Sequence, residues 1–243
     1  MPKQKRRAIY TAIAGGYDRL KFPQVIEPEC DYICFTDTPL DDPGVWQLRA
    51  VDYFNPDPTR IARFVKTHPH IYLPEYDRSI WIDANLIIRD KLYDWASKNL
   101  DRAPFHAFPH PHRDCIYDEA AEVIARGGLD DVSTIETQMA RLRAADYPTG
   151  AGLFETNVLM RRHNEPNVRE LHDAWWREIL NGSKRDQLSF NFVSQTLKQE
   201  IASLAPRGVS VRNASQFERV LHLKDADTYR PSDKARAAAQ ARP

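Results

Sequence analysis

Cysteine is scarce in this 243-residue chain, net charge is absent and no apolar run is long. Cys30, Cys34 and Cys115 are an odd number with no CxxC pair, so neither a disulfide framework nor a zinc site is indicated, and buried thiols in a reducing compartment are expected. Thirty-four basic residues balance 34 acidic ones, leaving no overall field to draw in nucleic acid or an anionic membrane surface; any basic site must be local. No stretch approaches the roughly 18 apolar residues of a membrane span, so no span is expected and the chain reads as cytoplasmic. Lys3 to Arg7 followed by Ala8 to Ala14 imitates a signal peptide, but its apolar part is short and carries Tyr10 and Thr11; a first strand is the preferred reading. Neither GxGxxG nor GxxxxGK(S/T) occurs, which leaves no dinucleotide fingerprint and no P-loop. There is no internal repeat.

What is present is one domain's worth of chain, 42% hydrophobic and 28% charged. Strand-like and helix-like segments alternate, predicting an α/β fold. Strands are expected at Arg7 to Ile13, Asp31 to Thr36, Trp46 to Val51, around Asp83, at Ala103 to Phe108 and at Gly152 to Met160. Short ones follow near Val209 to Arg212 and Val220 to Leu223. Asp57-Pro58 supplies an N-cap and a first-turn proline for a helix to about Lys66. At about 100° per residue its Ile61, Phe64 and Val65 share a face, while Arg60, Arg63 and Lys66 spread over the other, either solvated or turned toward a diphosphate. Leu92 to Leu100 reads as helix, and Asp118 to Arg126 as another stopped by Gly127-Gly128. A capping box at Ser133 and Glu136 starts one through Ala145. Residues 119–146 thus read as a helical insertion or lid within a domain spanning 7–224. Pro166 to Leu180 is amphipathic, and Ser183 caps a helix at about Lys184 to Lys198. The tail 232–243 reads as disordered.

Trp81-Ile82-Asp83-Ala84-Asn85-Leu86 carries the most chemical information. In an extended strand Asp83 and Asn85 point to the same side and present several oxygen lone pairs to one point, half of a hard-metal site that a nucleotide diphosphate can complete with Mg²⁺ or Mn²⁺. The competing reading is a plain Asx-type turn. Small residues after the first strand, Ala14-Gly15-Gly16, allow close backbone approach where ligands of open α/β sheets bind. Asp37 ends the second strand and can face a base or ribose, or form an Asx turn before Pro39. Histidines gather at His68-Pro69-His70 and His106 to His112, which suggests a metal, yet no acid or cysteine sits at a recognised spacing. His110 with Arg113, Tyr117 and two acids suits sugar or phosphate recognition better. In Arg185-Asp186-Gln187 the acid either completes a cap as the third helical residue after Ser183, or holds sugar hydroxyls with Gln187 and buttresses positive charge in a transition state. His222 lies in an alternating run, as a strand-end ligand or a core histidine, with Lys224 on its face.

Together, Tyr10-Thr11-Ala12 with Gly15 to Asp18, Cys30 to Asp37, Arg60 to His70, Ser79 to Asn85, His110-Pro111 with Arg113 and Tyr117 to Glu119, Gly152 to Asn164, and Arg185 to Phe190 resemble a family catalogued as domain of unknown function 616 and described as glycosyltransferase-like. The resemblance covers roughly residues 7 to 224. It implies a GT-A-like fold, a Rossmann-type mixed sheet flanked by helices, in which a DxD motif holds a divalent ion on a nucleotide-sugar diphosphate and a later histidine completes the shell. By similarity Asp83, Asn85 and His222 become metal or diphosphate ligands. Thr11, Ala12, Asp37, Arg63, Lys66 and Lys224 become donor contacts. Glu155, Asn157, Asp186 and Gln187 fall where sugar and acceptor are held, Asp186 and Glu155 being the candidate bases. Asn85 replaces the second acid of DxD, so free metal is expected to bind weakly and to arrive with the nucleotide.

The function expected is transfer of a sugar, hexosyltransferase-like, from a nucleoside diphosphate sugar such as a UDP-sugar to a glycan acceptor, as in polysaccharide biosynthesis, with Mn²⁺ or Mg²⁺. Two alternatives stand beside it: a catalytically idle carbohydrate- or nucleotide-binding module, and a metal-dependent phosphohydrolase using the histidines.

Overall fold

The structure, a computed structural model, describes residues 7–40 and 42–222. In chain order the elements are β1 (Arg7–Ile13), β2 (Cys30–Thr36), β3 (Gln47–Ala50), α1 (Pro58–Thr67), α2 (Pro69–Tyr72), β4 (Arg78–Ile82), β5 (Leu86–Ile88) and α3 (Tyr93–Arg102). They continue as β6 (Phe105–Pro109), α4 (Ile116–Arg126), α5 (Val132–Ala144), β7 (Phe154–Arg161), α6 (Pro166–Asn181), α7 (Gln187–Thr196), β8 (Ala202–Ser203) and β9 (Phe217–Arg219). Within the signal-like start, Lys3 to Arg6 lie outside the described residues and Arg7–Ile13 is a strand. It lies within a seven-stranded sheet of order β3-β2-β1-β4-β7-β6-β8, while β5 and β9 pair in a small second sheet.

All seven residues of β1 are buried, as expected for a strand covered on both faces. Alternation divides them. Ala8, Tyr10 and Ala12 pack with Val65 of α1, Trp175 of α6 and Phe190 of α7; Ile9 and Ile13 pack with Ala96 and Leu100 of α3 and with Leu86 and Phe217 of the small sheet. The α/β expectation holds as a mixed sheet flanked by helices. A third cluster joins Val123 of α4 and Met139 of α5 to Leu188, so the helical pair of 119–146 packs on the start of α7.

Strands β3, β2, β1 and β4 run parallel, β7 is antiparallel to β4, and β6 is antiparallel to β7. The carboxyl ends of β1, β4 and β6 and the amino end of β7 consequently share one edge of the sheet. From β1 the chain steps outward to β2 and β3, then crosses back to β4 on β1's other side, a topological switch point.

Several boundaries differ from the sequence reading for local reasons. Asp57 caps α1 as expected, accepting from Thr59 N at 2.9 Å. Helix α5 is capped by Asp131, which accepts from Thr134 N at 2.8 Å, two residues earlier than the Ser133 box. Residues 209–212 form no strand and neither do 220–222, Leu223 lying outside the described residues; the strand that pairs with β5 is β9. Lys224 and the tail 232–243 lie outside the described residues.

Candidate functional site

At the switch point lies a cavity of about 470 Å³. Its floor begins with Ala12 and Ala14 at the end of β1 and with Ala62 and Arg63 of α1, where small side chains let a ligand approach the backbone. Gly15 has φ +61°, and a Cβ there would stand 2.6 Å from Pro58 Cγ, so glycine is what lets the β1 turn pack on the start of α1. Asp37 locks this turn: both its oxygens accept from Gly15 N at 3.0 Å. It does not line the cavity, and neither does Thr11, buried with its hydroxyl unpartnered among the described residues. Those two donor candidates support the wall; Ala12, Arg63, Asp83 and Asn85 form it.

Asp83 and Asn85 are not on one extended strand. β4 stops at Ile82, Leu86 N donates to Asp83 O at 3.0 Å, and the tripeptide is the turn joining the large sheet to the small one. The turn reading is correct for the backbone, yet both side chains still line the cavity. Asp83 N donates to Asn157 O at 2.9 Å, and its Oδ1 accepts from Trp81 Nε1 at 2.8 Å. Asn85 donates through Nδ2 to Val220 O at 3.0 Å.

Arg63 and Lys66 do not form a solvated face. Lys66 is fully buried, 2.5 Å from Asp186 Oδ2 and 3.5 Å from Asp83 Oδ1. Arg63 lies 3.4 Å from Asp186 Oδ1 and 3.9 Å from Asp83 Oδ1. Burial pushes the Lys66 ammonium down, opposed by Asp186 and Asp83. Burial alone would raise the Asp186 carboxyl, but Arg63 and Lys66 hold it well below the usual carboxylate range. Asp186 occupies the N-cap position of α7 without capping it; its side chain turns instead to Lys66 and to Thr156 Oγ1 at 3.1 Å. The capping role is thereby corrected, and a carboxylate so held is a poor proton acceptor.

Glu155, Thr156 and Asn157 all line the cavity, although alternation in a flat strand would turn the middle one away. The β6–β7 register breaks here, from Ala107↔Leu159 to Phe108↔Glu155, and this irregularity re-aims consecutive side chains. Glu155 Oε1 pairs with Arg212, while Glu155 Oε2, Asn157 Oδ1, Gln187 Nε2 and Arg185 Nε are buried without a hydrogen-bond partner among the described residues. Such a concentration of unpartnered polar atoms in one cavity is the mark of a ligand site. His110 also lines it. Its Nδ1 accepts from Arg113 N at 2.9 Å, leaving the proton on Nε2, which faces Glu119 at 3.7 Å. Burial, with Arg113 and Arg212 nearby, pushes this imidazole down to about 4, so it is neutral at pH 7.

His222 shares the cavity and is not a core histidine. Its Nδ1 lies 2.7 Å from Asp18 Oδ2, whose carboxyl is lowered by this hydrogen bond against the opposing effect of burial. The carboxylate can only accept, so Nδ1 donates, and in the neutral imidazole Nε2 has the lone pair. His68 and His70 lie elsewhere, against Asp173 of α6. No group of three or more His, Cys, Asp or Glu side chains among the described residues is placed to hold a metal ion.

Seven arginines and lysines and five acids line the cavity, a local basic excess in a chain with no net charge. Sequence reasoning missed Thr156, Lys184, Arg126, Arg212 and Arg219. The bulge, the helix ends and the irregular segment after β8 that bring them in have no periodic signature.

A mixed sheet flanked by helices, with a basic cavity at its switch point, defines an α/β domain with a candidate ligand site. The family pattern described as TOD1/MUCI70, glycosyltransferase-like domain matches residues 37–207, and the chain belongs to that family. No curated protein sequence matches it. Among solved structures, mouse xyloside xylosyltransferase 1 in its apo form is similar over 82% of this chain and 84% of its own, at 12% identity and a TM-score of 0.44.

Proposed function

We propose that this glycosyltransferase-like domain transfers a sugar from a nucleoside diphosphate sugar, a UDP-sugar in the first instance, to a glycan acceptor with help from a divalent ion, and that it works on a GT-A-like scaffold. The observation that carries this reading is the buried Arg63 and Lys66 pair, fixed by Asp83 and Asp186 beside the cavity at the end of β1 and β4. Fixed cations in a water-poor wall stabilise a departing diphosphate without reorganising as charge develops.

The residues expected to hold the ion fit the role. Asp83 keeps Oδ2, Asn85 keeps Oδ1 and His222 keeps Nε2 free of hydrogen bonds among the described residues, and Asp18 orients the imidazole from behind as a carboxylate does for metal-bound histidines. One carboxylate and two neutral donors suit an ion shared with the nucleotide, which would neutralise the diphosphate as it leaves. In the displacement, the bond from the anomeric carbon to the diphosphate oxygen breaks with its electron pair going to the diphosphate. The acceptor hydroxyl oxygen bonds to that carbon, and its proton passes to Glu155 Oε2, the buried carboxylate oxygen without a partner. Asn157 and Gln187 offer an acceptor and a donor to sugar hydroxyls. The 119–146 helices, seated on the start of α7, serve as the lid over the site. Three free, buried thiols accord with a cytoplasmic setting.

Nucleoside diphosphate sugars screened by thermal shift and by sugar release, with and without Mn²⁺, test the reading. Calorimetry should find Mn²⁺ weak alone and tight with the matching nucleoside diphosphate. Equal affinity in both cases, or no effect of Asp83→Ala, would remove the metal assignment; binding of a donor without transfer or hydrolysis would leave an idle binding module.

A further inference from the structure

The cavity and the wall behind it carry more cationic groups than a diphosphate needs, in two sets at different depths; Arg63 lines the cavity and Lys66 lies buried behind it. Arg63 and Lys66 form the deep set: the Arg63 side chain is 14% exposed and that of Lys66 0%. A second set stands at the mouth, where the side chains of Arg126 and Arg212 are 60% and 42% exposed. Arg126 ends α4, His110 and Arg113 follow β6, Arg212 lies in the turns after β8, and Arg219 ends β9. Four separate segments therefore bring like charge to one rim.

Carboxylates pair with three of the four rim arginines and leave Arg219 over. Glu119 serves Arg113 at 2.6 Å, Glu155 serves Arg212, and Glu122 serves Arg126 at 2.6 Å from the outer side. Arg219 has no ion pair within 4.0 Å among the described residues, and its guanidinium is pushed down by burial and by Arg212 and Arg126 against the opposing pull of Glu155 and Asp83. Arg113, Arg212 and Arg126 act in the same sense on His110, so these cations share one field. Like charges gathered at a cavity mouth cost stability unless a ligand compensates them, and planar guanidinium forks match oxyanions two oxygens at a time.

We propose that Arg126, Arg212 and Arg219, with His110 and Arg113, form an oxyanion subsite that makes the enzyme select an acidic acceptor, a saccharide bearing a carboxylate, sulfate or phosphate. This rests on the glycosyltransferase reading, with the donor's diphosphate in the deep set. The acceptor's charged group is held at the rim, and its reacting hydroxyl reaches inward to Glu155. The carboxylate of Glu155 faces that hydroxyl while Arg212 keeps it from repelling the acceptor's own anion.

The test is calorimetry on the full chain saturated with a nucleoside diphosphate and Mn²⁺, using trisaccharides alike except for a hexuronic acid, a sulfated hexose, a phosphorylated hexose or a neutral hexose. At least one acidic trisaccharide should bind about tenfold or more tighter than the neutral one, and which one identifies the source of the oxyanion. Arg126→Gln with Arg219→Gln should cancel that preference while leaving nucleoside diphosphate affinity within twofold. Equal binding of neutral and acidic sugars overturns the proposal, as does loss of nucleoside diphosphate binding in the double variant, which would make the rim the diphosphate site. Inorganic sulfate binding as tightly as the acidic trisaccharide would also overturn it, since the saccharide would then contribute nothing. If the nucleoside diphosphate does not bind the wild-type chain but an acidic sugar does, the transferase reading fails while the oxyanion subsite stands.

Discussion

Asp186 shows how far a single residue's meaning depends on what surrounds it. In sequence it is an acid near a helix start, where a cap or dipole contribution would be about 0.3–1 kcal/mol. In the structure it is 3% exposed and compensates a fully buried lysine. Breaking a buried ion pair on one side typically costs about 3–5 kcal/mol, so Asp186→Asn should lower the urea midpoint severely, and adding Lys66→Met should recover part of the loss. A midpoint unchanged by Asp186→Asn would mean that Asp83 alone satisfies Lys66. Glu155 makes the opposite forecast. Its partner Arg212 can turn to solvent, so Glu155→Gln should move stability by no more than about 1 kcal/mol while turnover falls about 10²-fold or more, measured as transfer or donor hydrolysis. Retained turnover would take Glu155 out of the proton path.

At the scale of elements, the site depends on how α1 is seated. Its start rests on the Gly15 turn, and its end is held by Arg161, which donates to Lys66 O at 2.7 Å, with Tyr10 OH donating to the same oxygen at 3.1 Å. The helix thus carries Arg63 and Lys66 into place between two fixed ends. Gly15→Ala would combine a left-handed φ with a Cβ inside van der Waals contact of Pro58, a strain of about 1–3 kcal/mol that shifts the start of α1. Thermal melting should show the loss. Calorimetry should show weaker nucleoside diphosphate binding than in Gly16→Ala, where φ is +61° but no atom lies within 4 Å of the added Cβ. Equal effects at the two glycines would assign the whole cost to backbone conformation.

The whole molecule should be sensitive to acid, because several histidines are buried as neutral groups. Burial, aided by neighbouring cations, pushes His70, His106, His110 and His163 down to about 4 from an ordinary value of 6.5. His163 and His172 also face Arg161, where the effect of burial on the guanidinium is opposed by Tyr10 and by no carboxylate among the described residues. As pH falls below about 6.5 the unfolded chain takes up these protons before the folded one does, so stability declines until the folded-state values near 4 are reached. Thermal melts between pH 7.5 and 4.5 should show a steady fall that begins below about pH 6.5. A flat profile across that range would mean that these histidines are solvated. Asp186 does not contribute there, since its lowered carboxyl withdraws stability only as pH falls past the ordinary carboxylate range.

Period-two alternation with burial on both faces made β1 and β2 legible from residues alone, and the Asp57-Pro58 pair marked the start of α1 because capping is chemistry between near neighbours. Asp83, Asn85, Asp186 and His222 could likewise be named in advance, since polar side chains in apolar or structured runs stand out. What the sequence could not determine was their geometry. The turn that presents Asp83, the bulge that turns Thr156 inward, and the burial that converts Arg63 and Lys66 from a surface face into a fixed cationic wall all arise from contacts between segments far apart in the chain. The rim of Arg126, Arg212 and Arg219 is the extreme case: those residues come from separate segments without periodicity, so only the packing of helix, turn and small sheet brings their charges together.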